Sequence, residues 1–170
     1  MNGNFEECLA LVLKHEGGFV NNPQDPGGMT NLGVTKVTYE GYVNRHVDEA
    51  EMRSLTPDLV APLYKKMYWD RIKGDDLPVG VDYCLFDLAV NSGVGKAGKL
   101  LQMALDLPAD GIIGPMTLRA LEGRDAEEIV EQICQERLEF LQSLKTWGVF
   151  GKGWGRRVAE VEQHATAMIT

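Results

Sequence analysis

Two carboxylates stand nine residues apart near the start of the chain. Glu16 ends a run with helical periodicity, and Asp25 lies in a loop dense in Pro and Gly. Thr30 and Asn31 follow close behind. Such a pair suits cleavage of a glycosidic bond: one carboxylic acid protonates the leaving oxygen, and a second carboxylate activates water or attacks carbon. The C-terminal end of a helix is a poor place for negative charge. It therefore suits a carboxyl that must keep its proton until delivery. On spacing alone the ordinary alternatives stay open. Glu16 is equally a solvated last-turn residue before a glycine, and Asp25 equally a turn-capping residue before Pro26.

The elements that must position these groups follow from periodicity. Phe5, Cys8, Leu9, Val12 and Leu13 predict a helix over 5–16. Asn4 can cap its start with Glu7 reciprocating, and Gly17 can end it in a left-handed conformation. Residues 19–35 are expected to be irregular or a short hairpin, since Asn22-Pro23 and Asp25-Pro26-Gly27-Gly28 are turn signals. Helices are then expected from Thr35 to about 46 and from Glu49 to Leu55. Thr56-Pro57-Asp58 opens the next, with Leu59, Leu63 and Met67 on one face and Pro62 as a kink or second start. Residues 81–91 are apolar on nearly all sides, which predicts a buried central helix stopping at Asn91-Ser92-Gly93. A helix over 96–106 follows, then a tight turn at Asp110–Thr117. Asp125 and Glu128 cap a long helix on Ile129, Ile133, Phe140, Leu141 and Leu144. Gly148 to Gly155 reads as a Gly- and aromatic-rich break before a last helix on Val158, Val161, Ala165 and Met168. The fold class is all-α, with room for one small β-hairpin in 19–35.

The length of 170 residues suits one domain or two small modules sharing a core. The net charge of −8 is evenly spread, with 12 acids and 8 bases in 1–78 and 13 and 9 in 79–170. This acidity argues against nucleic acid or an anionic membrane as the main partner. No apolar run approaches the ~20 residues that span a membrane. Glu6 and Glu7 precede the first apolar residues and no basic segment leads them, so no ordinary signal peptide is visible. The expectation is a protein made in the cytoplasm. Cys8, Cys84 and Cys134 are odd in number, lie in apolar runs and lack CxxC spacing, which predicts buried free thiols. His15, His46 and His164 share no metal-ligand spacing, and no metal or organic cofactor is expected.

The arrangement of Glu16, Asp25 and a nearby Thr resembles phage lysozymes. A closer resemblance is to the glycoside hydrolase family 108 N-acetylmuramidases. It is carried by Glu16-Gly17-Gly18, Asn22-Pro23, Asp25-Pro26-Gly27-Gly28 and Thr30-Asn31-Leu32-Gly33-Val34-Thr35, and extends through Asn91-Ser92-Gly93. From about residue 94 the chain resembles the predicted peptidoglycan-binding module that accompanies this family. The markers there are Asp110-Gly111, Gly114-Pro115-Met116-Thr117, Gly153-Trp154 and Arg156-Arg157. The resemblance implies a lysozyme-like catalytic module over 1–93 and a helical peptidoglycan-binding module over 94–170, with the 81–91 helix arguing for a shared core. It implies Glu16 as the catalytic acid. Asp25 matches the family's Asp-Pro-Gly-Gly, and its role as base comes from the lysozyme analogy. Thr30 and Asn31 are rivals for one supporting role. A water held by Asp25 and Thr30 opposite Glu16 would invert the anomeric centre.

Sugar binding needs flat apolar faces and amides. Tyr64, Tyr68, Trp69 and Asn91 are candidates, set against core packing for the aromatics and helix capping for Asn91. Lys152, Arg156 and Arg157 beside Trp154 either meet acidic stem peptides or pair with this chain's excess acids. The resemblance implies a muramidase acting on peptidoglycan glycan strands; the small size and missing signal peptide fit a phage or prophage endolysin, expected as a monomer and delivered by a holin or similar route to the cell wall. Two other readings differ in kind: a chitinase or chitosanase on the same scaffold, and a non-catalytic wall-binding or secretion-activator protein.

Overall fold

The periodicity of the first segment produces α1, Phe5–His15, with Cys8, Leu9 and Val12 buried. The structure is a computed structural model describing residues 4–24 and 26–170. It is mainly helical, and among the described residues one two-stranded antiparallel sheet is present. The chain divides into two compact units. One is Glu6–Met67; the other is Tyr68–Thr170 together with the start of the chain up to Phe5.

The Glu6–Met67 unit holds the hairpin of β1, Thr30–Asn31, and β2, Val34–Thr35, followed by α2, Lys36–Val43, α3, Glu49–Arg53, and α4, Pro57–Tyr64. Side-chain caps start each helix. The Thr38 N–H donates to Thr35 Oγ1 at 3.1 Å, Glu51 N–H to Asp48 Oδ1 at 2.8 Å, and Leu59 N–H to Thr56 Oγ1 at 3.3 Å. Asn44 ends α2 in the left-handed region, earlier than the expected residue 46. The buried face of α4 is Val60, Leu63 and Tyr64, while Leu59 is exposed. The expected Leu59–Leu63–Met67 face is thus rotated. Pro62 lacks an N–H, and the turn after it widens into a π-helical segment, Lys65–Trp69, which shifts the register of inward positions.

The other unit is built around α5, Val81–Ser92, buried continuously from Val81 to Ala89. Helices α6, Val94–Ala104, α8, Ala126–Gln142, and α9, Trp147–Ile169, pack on it, and α7, Pro115–Leu121, follows α6. An all-apolar helix can only be buried by neighbours on several sides. That places α5 with the C-terminal helices in space, although in sequence it precedes residue 93. Trp69 is fully buried here, edge-on to Phe5 and Phe86 at 5.4 Å each. Its Nε1 donates to Asp75 Oδ1 at 3.0 Å.

One buried charge cluster crosses this core. Asp87 of α5 accepts from Arg137 Nη1 of α8 at 2.8 Å, and from Arg157 Nη2 and Nε of α9 at 3.0 and 3.2 Å. Burial alone would raise the Asp87 carboxyl. The two guanidiniums outweigh it and hold the carboxyl below the usual range. Nearby, Cys84 and Cys134 face each other at 3.6 Å. The hydrogen bond with Cys134 and complete burial push the Cys84 thiol well up. All three cysteines are buried and outside any disulfide, as their apolar surroundings predict.

The expected break at Gly148–Gly155 does not exist; α9 runs unbroken through it. Gly in a helix interior costs about 1 kcal/mol relative to Ala. Part of that cost is offset because the Trp147 indole packs on Gly151, where a Cβ would lie 2.7 Å from the ring.

Removing the Asp87 charge leaves the buried Arg137 guanidinium without its carboxylate. Asp87→Asn should destabilise by about 3–5 kcal/mol, lowering Tm by roughly 10 °C in calorimetry. The native carboxyl is depressed, so its contribution is complete above the unfolded value of about 3.9 and is lost as pH falls through the lower native value. The Tm of Asp87→Asn should accordingly fall less steeply than that of the wild type below about pH 4. Burial predicts a second outcome: a thiol reagent such as Ellman's should titrate the three cysteines only after unfolding.

Candidate active site

Glu16 follows the last residue of α1 directly, with its N–H on the Leu13 carbonyl at 3.2 Å. Gly17 is not in the left-handed region, contrary to the expected glycine cap. Its carbonyl instead accepts from the Leu32 N–H at 3.1 Å. The helix is therefore stopped by a bond to the hairpin rather than by a local turn. Positions 17 and 18 are exposed, and a Cβ at either would meet nothing within 4 Å, so the chain beside Glu16 is open.

The loop then returns antiparallel to β1. Val20 and Thr30 exchange backbone hydrogen bonds at 2.7 and 2.8 Å. Thr30 pairs with Thr35 and Asn31 with Val34, and the hairpin turns on Leu32-Gly33. Both turn residues have positive φ, 52° and 77°. That geometry is the tight turn favoured between twisted strands, and it is unfavourable for Leu. Leu32 is held there from both sides. Its N–H is bound by Gly17, and its carbonyl accepts from the Tyr64 hydroxyl at 2.7 Å. A strained residue persists where its surroundings over-determine it.

Gly33 completes the seat. A Cβ on Gly33 would lie 2.9 Å from Glu16 Cγ and Oε2 and 2.6 Å from Tyr64 Oη. The Glu16 carboxyl and the Tyr64 hydroxyl thus converge on the bare backbone of the turn. Tyr64 is 1% exposed, so it serves as a support for this seat rather than a sugar face. Neither Gly33 nor Tyr64 carries a spacing signal that marks such a role; only the chain reversal brings them to Glu16.

Asn31 is buried, and its amide donates to the Met52 carbonyl at 2.8 Å. It satisfies one of the last carbonyls of α3 and ties that helix to β1. The Asn31 amide nitrogen is thus engaged inside the unit, where it braces α3. Thr30, one residue earlier on a strand, faces the opposite side and is half-buried. Arg53 stacks over the Phe19 ring at 4.1 Å, closing the loop after Glu16 onto α3. Asp25 lies outside the described residues.

In the other unit, Trp69 has no exposed face, which removes it as a sugar platform; its ring belongs to the core. Tyr68 is half-buried beside it in the π-helical turn, and Asn91 is exposed near the end of α5.

A family model described as Glycosyl hydrolase 108 matches residues 9–93, which includes Glu16 and the whole Leu32-Gly33 seat. The chain belongs to the glycosyl hydrolase 108 family. A second model, described as a Predicted Peptidoglycan domain, matches residues 96–159. Among solved structures, the chain is similar to Brucella abortus SagA, with 40% identity over 99% of this chain and 97% of that one and a TM-score of 0.87. No match was found among curated proteins. Membership makes this chain a glycoside hydrolase with a peptidoglycan-related function.

A side chain at residue 33 must displace Glu16 or Tyr64, in a conformation that disfavours any Cβ. Gly33→Ala should destabilise by about 1–3 kcal/mol, and a crystal structure of the variant should show the Glu16 side chain moved. Tyr64→Phe releases one clamp on Leu32 and should cost about 1 kcal/mol in chemical unfolding.

Proposed function

We propose that this family 108 enzyme is a muramidase, hydrolysing the β-1,4 bond between N-acetylmuramic acid and N-acetylglucosamine. The observation that carries the reading is the Glu16 carboxyl at the end of α1, fixed against Gly33 beside an open backbone, in a chain that also matches a peptidoglycan domain. Glu16 acts as general acid on the leaving oxygen. Asp25 acts as the base for water, with Thr30 helping to hold that water. These roles use carboxyl groups and a hydroxyl, and the reaction proceeds by acid–base chemistry.

The peptidoglycan-domain match favours wall glycan over chitin as the substrate. The enzyme would work as a monomer made in the cytoplasm and carried to the wall by a separate route, as a phage or prophage endolysin. Among the described residues no helix is long and apolar enough to cross a membrane.

Glu16→Gln keeps size and hydrogen bonding but cannot deliver a proton. Its turbidity-clearing rate on purified peptidoglycan should fall by at least about 10²-fold with an unchanged Tm. Retained activity in this variant overturns the mechanism. Mass spectrometry of reduced wild-type products should show muramitol at the new ends; glucosaminitol there would sink the assigned bond.

A further inference from the structure

Two thiols meet in the core of the Tyr68–Thr170 unit, and glycoside hydrolysis uses neither. Cys84 lies on α5 and Cys134 on α8, with their Sγ atoms 3.6 Å apart and a sequence separation of 50. The two residues are 0% and 2% exposed. Three residues further along each helix, Asp87 accepts from Arg137 Nη1 at 2.8 Å, again with a separation of 50. Residues three apart share a helix face, so the thiol pair and the ion pair lie on one α5–α8 interface. A buried ion pair penalises any slip that would part its charges. The Asp87–Arg137 bond therefore holds the register that keeps the two sulfurs opposite each other. A disulfide is about 2 Å long, so the gap left to close is about 1.5 Å. The third thiol, Cys8, belongs to the Glu6–Met67 unit.

We propose that Cys84 and Cys134 are a disulfide-forming pair, reduced while the chain is made and joined in an oxidising compartment, where the bond locks α5 to α8. The oxidant is a disulfide donor, either a small molecule or a protein. One cysteine, as thiolate, attacks a sulfur of the donor and expels the first donor thiolate, leaving a mixed disulfide. The other cysteine, as thiolate, then attacks the bound cysteine sulfur and expels the second donor thiolate. The two cysteine protons end on the expelled thiolates. The pair gives up two hydrogens and two electrons, and the donor is reduced to two thiols.

The attacking species is the thiolate. In the closed fold the hydrogen bond with Cys134 and complete burial hold the Cys84 thiol well up, and both sulfurs are shielded from a donor. Exchange therefore takes place as α8 closes on α5 during folding, or when the two helices part. Once formed, the bond closes a long loop running from α5 to α8 and removes freedom from the unfolded chain. Disulfides persist outside the reducing cytoplasm. That this enzyme reaches such a compartment comes from its proposed action at the wall; the exchange chemistry itself needs only the two facing sulfurs.

The test refolds the full chain from denaturant in a mixture of reduced and oxidised glutathione, beside the same chain refolded in a phosphine reductant. Mass spectrometry of the first sample should show the loss of two hydrogens, and peptide mapping without reductant should link the Cys84 and Cys134 peptides. Ellman's reagent in denaturant should then titrate Cys8 alone. The Tm of the oxidised chain should exceed that of the reduced chain by about 5–15 °C. Cys84→Ala and Cys134→Ala should each remove that gap; if either variant fails to fold, the oxidised and reduced wild type still supply the comparison. Three titratable thiols after oxidative refolding, a bond to Cys8, or glutathione left on either cysteine overturns the pair. A linked pair whose Tm is not raised overturns the lock. Clearance of sacculi by the reduced chain is measured separately, so the muramidase reading stands or fails on its own result.

Discussion

Leu32 carries an unfavourable backbone conformation on which the Glu16 end of the Glu6–Met67 unit depends. Two hydrogen bonds hold it, one from its own N–H to the residue after Glu16 and one to its carbonyl from the Tyr64 hydroxyl at the end of α4. With Leu32 held, Gly33 presents bare backbone to the Glu16 carboxyl. Without either bond the turn could relax, and the carboxyl would lose its floor. General acid catalysis needs a proton donor placed within a few tenths of an ångström of its target. A carboxyl side chain at a helix end is not fixed in place by itself. Here the positioning comes from backbone groups, which have less freedom than side chains, and from a buried tyrosine that is fixed by packing.

The second unit solves a different problem. The charged residues of its central helix are Asp82 and Asp87, both buried. Asp82 accepts from the Gly80 and Tyr83 N–H groups and from Asn4, and so organises the start of α5. Asp87 ties α5 to α8 and α9 through two arginines. A buried carboxylate of this kind adds little net stability but penalises every arrangement that leaves a charge alone. It therefore selects one packing of three helices among several with similar apolar burial. Arg157 anchors the helix inward, while Trp147, Phe150 and Trp154 occupy the part left at the surface.

Much of this was legible in order of residues alone. Apolar spacing marks most of the helices, because burying one stripe requires apolar residues every three or four positions. Thr35, Thr56 and Asp125 mark helix starts for a purely local reason: each side chain meets an N–H two or three residues on. Glu16, the Asp25 loop and the family motif are local too. The departures have non-local causes. Gly148–Gly155 reads as a break because glycine is a poor helix former, yet tertiary packing keeps α9 intact. Trp69 and Tyr64 share the composition of a sugar platform and are core or support residues, since an aromatic side chain does not announce which surface covers it.

The sequence by itself determined the helical class, the family and the acidic character of the chain. Each of these depends on residue identity at short spacing or on a sum over residues. The tertiary structure decided that Gly33 and Tyr64 seat Glu16, that Asn31 braces α3, that α5 packs with the C-terminal helices, and that Arg157 differs from its neighbour Arg156. These are contacts between residues 17 to 70 positions apart, or differences between faces of one helix. They exist only once chain reversal brings distant groups within hydrogen-bonding distance, and a linear pattern carries no direct record of that distance.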